Sequence, residues 1–354
     1  MEISLFGPGI GECCLIELPT GQWIIIDSFR CPEVKQPIAL KYFEEKGLDP
    51  KLCVDLIIIT HWHSDHVAGM SELIDICDNA LIVIPSAFTN KEFNEFWSLI
   101  SSDHELGSLN TLKEMRLAME SIRKHFERNK QAPKFADEGK NIYYRNEDNY
   151  EIEVTTLSPS PDAFIQSQLE SQNLLKTFKA SNPKTHLTKP QSNNNAIAIQ
   201  LTVNGISLLF GGDLEEPEKN QYRKFGWSRV LDCHENKIKR SILFKVPHHG
   251  SETGHQEEIW QKALIDNATA ILTTFDRSNL PKDRDIERIK SYTSYLTGTT
   301  MTKCRNYRDK RDIKNINDFA HLKPRYSVAG HVKYHYCFKE NKLSREETSK
   351  DVVY

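Results

Sequence analysis

The densest chemistry in the chain lies in "HWHSDH", where His61, His63, Asp65 and His66 follow the apolar run "VDLIIIT". Imidazoles and a carboxylate gathered in this way suit zinc, manganese or iron better than calcium. His61 and His63 are two apart, so an extended backbone carries both rings on one side. Asp65 continues that parity, and His66 begins the next turn. Four donors this close would be strained around one tetrahedral ion. They divide better between two adjacent ions, with Asp213 as a bridging carboxylate. A two-metal centre supplies a hydroxide near neutral pH and clamps both oxygens of a displacement. A surface histidine cluster is the competing reading. The buried strand before the motif and the tight "VAGM" helix start after it argue against that.

Three more polar clusters close apolar runs: "DSF" with Asp27 after "QWIII", "GGD" with Asp213 after "ISLLF", and "HHGS" with His248, His249 and Ser251 after "LFKVP". Ligands at strand ends are held by a rigid frame, which suits a site whose geometry must be kept. The two glycines before Asp213 allow close backbone approach and unusual φ/ψ. In "HGSETG", backbone N–H groups after the last histidine could meet an anionic oxygen. Thr273, Thr274 and Arg277 end "TAILTTFDR" and would reach the same rim. An arginine there suits phosphate, although a surface arginine is the plainer reading.

The elements that must position these groups are short strands and helices. "CCLIEL" and "QWIIID", separated by "PTG", predict a hairpin. "PIALKYFEEKGL" predicts a helix ended by Gly47. "VDLIIIT" has no polar face and predicts a central strand buried on both sides. "VAGMSELIDIC" has helical spacing, and "ALIVIP" is another strand. Residues 88–140 carry helical periodicity and many charges, as an insertion. "NYEIEVTTLSPSP" returns to strand and turn. Residues 160–192 are polar and predict a helix plus a mobile loop or lid. "AIAIQLTVNGISLLFGGD" is a hairpin with Asn-Gly at its turn. "SILFKVPHHGS", "EEIWQKALIDN" and "TAILTTF" predict strand, helix and strand. Residues 301–354 read as a poorly packed tail with a basic loop and a final strand, "HVKYHYCF". Mixed sheets covered by helices are the natural architecture, and the two halves share a layout without a sequence repeat.

Composition narrows the class. A chain of 354 residues, 38% hydrophobic and 27% charged, is that of an ordinary soluble protein. No apolar run approaches the ~20 residues needed to span a bilayer, and "MEISLFGPGIGECC" does not resemble a signal peptide. The eight cysteines include no CxxC pair, which argues against a thiolate zinc site, and they are expected reduced in a cytoplasmic protein. The net charge of −3 does not favour nucleic acid globally, yet a local basic patch can hold phosphates. The candidate patch, "KCRNYRDKRDIK" (303–314), reads first as a solvated loop.

H-x-H-x-D-H after an apolar strand is the signature of the metallo-β-lactamase-fold hydrolases, and the chain resembles them. With "LSP", "NNNAIAIQLTVNGISLLFGGDLEE" and "FKVPHHGS" in that order, residues 1–300 look like the hydrolase domain of DNA-uptake competence proteins and their stand-alone relatives. The resemblance implies an α/β fold, an αββα sandwich with metals at the strand ends. Here it would carry a helical insertion at 88–140 and a C-terminal extension at 301–354. It implies two divalent ions, zinc or manganese. His61 and His63 would hold one, Asp65 and His66 the other, with Asp213 between them. One histidine of "HHGS" would complete the second site: His249 as ligand, leaving His248 to handle substrate or a proton. Asp27 is either the family's supporting strand-end aspartate or a plain turn residue. Many members place a further histidine before the bridging aspartate. Here only His104, His125 and His186 lie between residues 66 and 213, and none follows a strand. The competence-type relatives carry an Asn-rich segment instead, so Asn194 or Asn195 would stand near a weak first metal, with Ala196 replacing the usual serine.

The expected function is a metal-dependent phosphodiesterase or nuclease, with Asp65 or His248 handling a proton. Its substrate would be nucleic acid or a small phosphoester, with no membrane partner. A second expectation is a hydrolase subunit of a multi-protein complex, silent until bound through the 88–140 insert or the tail. Stand-alone relatives of this type occur among bacterial antiviral defence genes. A β-lactamase is the third expectation.

Overall fold

The apolar runs of the first half become neighbouring strands. β1 (Glu2–Phe6), β2 (Cys13–Glu17), β3 (Trp23–Ile26), β4 (Val54–Ile58), β5 (Leu81–Pro85) and β6 (Lys134–Ala136) lie side by side in that order. The second sheet runs β7 (Asn141–Glu147), β8 (Tyr150–Thr156), β9 (Ile199–Val203), β10 (Ile206–Phe210), β11 (Ser241–Lys245), β12 (Leu264–Leu272) and β13 (Leu296–Gly298). The computed structural model describes residues 1–89, 110–180, 193–218, 223–234, 237–300, 330–348 and 351–354, with positions 91, 95 and 98.

The two sheets repeat one pattern. From β1 to β6, two antiparallel pairings are followed by three parallel ones. From β8 to β13 the same sequence of pairings recurs. This is the shared layout expected of the two halves. The Asn204–Gly205 turn between β9 and β10 takes positive φ at both residues (47° and 82°), as a tight hairpin with right-handed strand twist requires.

Period-two alternation sorts each strand between two cores. Ile24, Leu56 and Ile58 meet Leu201, Leu208, Leu243 and Ile271 between the sheets. Ile25 and Ile57 point the other way. They pack with Ile38 and Phe43 of α1 (Ile38–Lys46), Leu73 of α4 (Met70–Ile76) and Met115 and Ala118 of α5 (Asn110–Asn129). In chain order, α2 (Pro50–Cys53) and α3 (Ser64–Val67) fall between α1 and α4, and α6 (Pro161–Ala180) follows α5. Leu209, Phe244 and Leu272 face α7 (Gly226–His234), α8 (Glu257–Lys262) and α9 (Asp283–Lys290) through Trp227, Trp260 and Ile286. Helix, sheet, sheet, helix is the expected αββα sandwich.

Several expectations change in detail. α1 ends at Gly47 in the left-handed conformation, as read. The helix expected from "VAGMSELIDIC" is α4, which starts at Met70 with Gly69 as its N-cap; Gly69 has φ 83° and packs so close to Pro37 that a Cβ would lie 2.9 Å from its Cγ. Within the polar stretch 160–192, residues 161–180 form α6, and 181–192 lie outside the described residues. Of the 88–140 insert, α5 and β6 are described, and 90, 92–94, 96–97 and 99–109 are not. The basic loop at 303–314 also lies outside them. The tail is not loosely packed where it is described. β14 (His331–Cys337) pairs with β1 over five residues and with β15 (Lys342–Glu346), while β16 (Val352–Val353) closes the second sheet beside β13. Val332, Tyr334 and Tyr336 alternate inward and are buried, which turns a seemingly polar segment into a half-buried strand.

Candidate metal centre

Every residue of the cluster stands just past the C-terminal end of a parallel strand. Asp27 follows β3 and the "HWHSDH" segment follows β4. Asp213 follows β10 and His249 follows β11. The repeated pairing pattern makes Asp27 the counterpart of Asp213, and "HWHSDH" the counterpart of "HHG". The two sheets face each other, so both sets meet at one edge of the sandwich.

Asp65, His66, Asp213 and His249 form one group of closely spaced potential ligands, and Asp27, His61 and His66 form another. His66 Nε2 lies 3.3 Å from Asp213 Oδ2 and 3.7 Å from Asp65 Oδ2. His249 Nε2 lies 3.6 Å from Asp65 Oδ2 and 3.7 Å from Asp213 Oδ2. His61 Nε2 is 3.8 Å from Asp213 Oδ2. The His61 ring centroid is 4.2 Å from that of His66 and 4.6 Å from that of His63. His63 is half-buried beside His61, in front of α3, and is in neither group.

The far side of each ring is held. Thr60 donates its hydroxyl proton to Asp27 Oδ2 (2.6 Å), so it can only accept from His61 Nδ1, 2.9 Å away. His66 Nδ1–H donates to the same Asp27 oxygen at 2.7 Å. Thr273 donates to Glu12 Oε2 and accepts from His249 Nδ1 at 2.8 Å. In the His61 and His249 rings this leaves the proton on Nδ1 and turns the Nε2 lone pair towards the cluster, and His66 likewise points its Nε2 inward. His61 Nε2, His66 Nε2, His249 Nε2 and Asp213 Oδ1 are buried and have no hydrogen-bond partner. Buried polar atoms are rarely left so. The three Nε2 atoms lie within 3.8 Å of the Asp213 carboxylate, and such a set of nitrogen and oxygen donors fits a bound metal cation.

Charge in the site follows from the same contacts. Burial, then the neighbouring His66 and His63, push the His61 pKa well down. Burial also opposes a charge on His66, but Asp213 and Asp27 outweigh it and raise that pKa well above normal. Burial opposes the Asp213 charge too, yet His66 and His249 hold its carboxyl well below the usual range. Asp65 is likewise held low against burial, by the His249 ring nearby and the charge of His66. Burial raises Asp27, opposed by His66 and by two hydrogen bonds from Thr60.

Of the "HHGS" pair, His249 enters the cluster and stacks its ring on Phe275, centroids 5.0 Å apart. His248 turns aside, with Nδ1 2.8 Å from Glu215 Oε1 and 2.9 Å from Thr253 Oγ1. Burial lowers its pKa, but Glu215 and Asp213 raise it above the usual histidine value. Ser251 does not face the ligand space. Its hydroxyl accepts from Thr253 N–H and caps the next turn. Arg277 is exposed on a turn beyond Phe275. Asn193, Asn194 and Asn195 form a 3₁₀ turn, tied to the site by Ile197 N–H bonding to Thr60 O at 3.0 Å. Asn195 is buried and Asn194 half-buried. His125, buried in α5, is drawn towards Asp78 rather than the cluster. His104 and His186 lie outside the described residues.

Thr60, Glu12 and Lys245 were not singled out from sequence. Lys245 carried a signal: it is the one charged side chain in the buried strand "SILFK" and is only 2% exposed. It pairs with Glu12 Oε1 and donates to Gly212 O at 2.9 Å.

The chain belongs to the metallo-beta-lactamase superfamily, whose family model matches residues 6–273. That superfamily is one of metal-dependent hydrolases, and the His/Asp groups described above are of the kind that could hold the metal. Among solved structures, the chain is similar to a HARLDQ-motif metallo-beta-lactamase from Cronobacter sakazakii, at 14% identity over 68% of this chain and 76% of that one, TM-score 0.36. It is also similar to a putative metallo-beta-lactamase from Thermotoga maritima, at 14% identity over 66% and 83%, TM-score 0.34. A third likeness is to the hydrolase AbOPH of the beta-lactamase superfamily, at 17% identity over 64% and 68%, TM-score 0.34. At these identities and TM-scores, the assignment rests on the family match alone. No curated protein matches the chain.

Proposed function

We propose that the protein is a metal-dependent phosphodiesterase, with DNA or RNA as its first substrate class and a small phosphoester or cyclic nucleotide as its second. The observation that carries the reading is the approach of the unpartnered His61, His66 and His249 Nε2 atoms to the Asp213 carboxylate. His61 and His63 would hold one divalent ion, and Asp65, His66 and His249 another, with Asp213 shared between them. When bound, such ions supply a nucleophilic hydroxide near neutral pH and Lewis-acid stabilisation of charge on phosphorus oxygens.

The chain's own residues do the rest. Asp27 and Thr60 orient His66 and His61, and Thr273 orients His249. His248, held by Glu215 and carrying a raised pKa, is the proton donor to the leaving oxygen. Its half-buried position at the rim leaves it open to a bound substrate. The order of "HWHSDH", "LSP", "NNNA", "GGD" and "HHGS" supports kinship with the competence-type hydrolases, and hence the preference for nucleic acid.

The test offers single- and double-stranded DNA, RNA and a chromogenic phosphodiester to protein loaded with Mn²⁺ or Zn²⁺. Turnover that Asp65→Ala and Asp213→Ala abolish is expected. No turnover on any substrate, or turnover that survives both substitutions, removes the reading. Nitrocefin hydrolysis in the same screen would move the substrate class to β-lactams.

A further inference from the structure

We propose that Glu12 and Lys245 are positioning residues for the Asp65–His66–Asp213–His249 cluster, a role that rests on the metal site proposed above. Glu12 reaches three of those four residues from one place. Its backbone N–H donates to Asp65 O at 2.9 Å. Its Oε2 accepts from Thr273, which holds His249 Nδ1. Its Oε1 pairs with Lys245, and that ammonium also donates to Gly212 O, the carbonyl just before Asp213. The fourth residue, His66, is held by Asp27.

The arrangement is a second copy of the Asp27 device in the other half of the fold. Asp27–Thr60–His61 and Glu12–Thr273–His249 are both carboxylate–hydroxyl–imidazole chains. In each, threonine spends its only proton on the carboxylate and must accept from Nδ1. Glu12 comes from the loop between β1 and β2, whereas Lys245, Gly212 and Thr273 belong to the second sheet. The contact therefore joins the two sheets at the metal edge. The glycines around it permit the approach: a Cβ at Gly11 would lie 2.9 Å from Asp65 O, and one at Gly7 would lie 2.6 Å from Thr273 Cγ2.

A buried ion pair is by itself weak evidence of stabilisation, and apolar replacement of both partners is often neutral or stabilising. That separates positioning from a purely structural role. The test titrates metal-free wild type, Thr273→Val and the double variant Glu12→Leu/Lys245→Met with Co²⁺, following the visible absorption bands. Urea unfolding of the metal-free proteins is measured alongside, with ¹⁵N NMR of the histidine tautomers. Both variants should bind Co²⁺ about 10- to 100-fold more weakly. The metal-free double variant should keep or gain stability, Thr273→Val should lose the single Nδ1–H tautomer at His249, and Thr273→Ser should restore affinity. Unchanged Co²⁺ affinity in either variant overturns the inference while leaving the metal reading intact. A wild type that takes up no Co²⁺ removes the metal reading itself.

Discussion

At the residue scale, the site is a set of histidines whose tautomers are set from behind. Asp27 carries the heaviest part of that task, because one oxygen receives both His66 Nδ1–H and the Thr60 hydroxyl. It does so from a left-handed backbone, φ 61°, which an aspartate tolerates better than most residues. Asp27→Asn keeps the shape but can offer its amide N–H to His66 in place of an acceptor. Metal affinity is expected to fall about 10- to 100-fold, read by calorimetric titration with Zn²⁺. The reading of Asp27 as a plain turn residue does not account for these bonds. The ligand types were legible in "HWHSDH", "GGD" and "HHGS" because imidazole and carboxylate pairs declare their chemistry. Thr60 and Glu12 were not, because a threonine or glutamate has many ordinary uses. The Thr273–Glu12 bond joins residues 261 positions apart, a separation that no local pattern encodes.

At the element scale, parallel strands with buried faces aim the ligands, and their periodicity was readable. Ile24, Ile25 and Ile26 alternate between two cores, as do Leu56, Ile57 and Ile58. Gly212 shows how tightly a strand end is fitted. It has φ 52°, and a Cβ there would lie 2.8 Å from Ile197 O. Gly212→Ala is therefore expected to cost about 1–3 kcal/mol of stability through strain and to weaken metal uptake by moving Asp213. Thermal melting and Co²⁺ titration of the variant check both effects. The start of α4 at "VAGM" was legible, whereas the short α3 over Ser64–Val67 was not. Gly69 caps α4 with its positive φ, and the close approach of Pro37 leaves no room there for a Cβ.

At the whole-molecule scale, the closing strands hold the sandwich from its rims. Glu2 on β1 shows how. It is buried, yet Lys46, Tyr42 and Ser4 hydrogen-bond it and Lys333 of β14 lies 3.5 Å away. Burial works against its charge, but these partners pull its pKa from 4.5 to about 2. The folded state thus favours the ionised form. Its stabilisation is full above about pH 4.5 and is lost as pH falls towards 2. His331, stacked on Phe6, acts in the same direction: burial lowers its pKa from 6.5 to about 4, so stability drops as pH falls through that window. Urea midpoints measured over this range should fall steadily, and Glu2→Gln should flatten the part below pH 4.5. Deleting 331–354 removes a partner strand from each sheet and exposes the β1 edge. The truncated chain is expected to aggregate or to unfold at much lower urea, read by light scattering and circular dichroism. Among the described residues no helix is long and apolar enough to cross a membrane.

Sequence alone carried the layered α/β class, the strand ends as the place of chemistry, and five of the residues grouped as possible metal ligands: His61, Asp65, His66, Asp213 and His249. Local periodicity and donor type suffice for these. Which histidine of "HHGS" turns inward was settled only by the folded chain, where His249 meets Asp65 and Asp213 and His248 meets Glu215. The same holds for the partnership of Glu12 with Lys245 and for the packing of the tail strands. Each depends on groups distant in sequence being brought within hydrogen-bond reach, and that proximity is a property of the packed sheets.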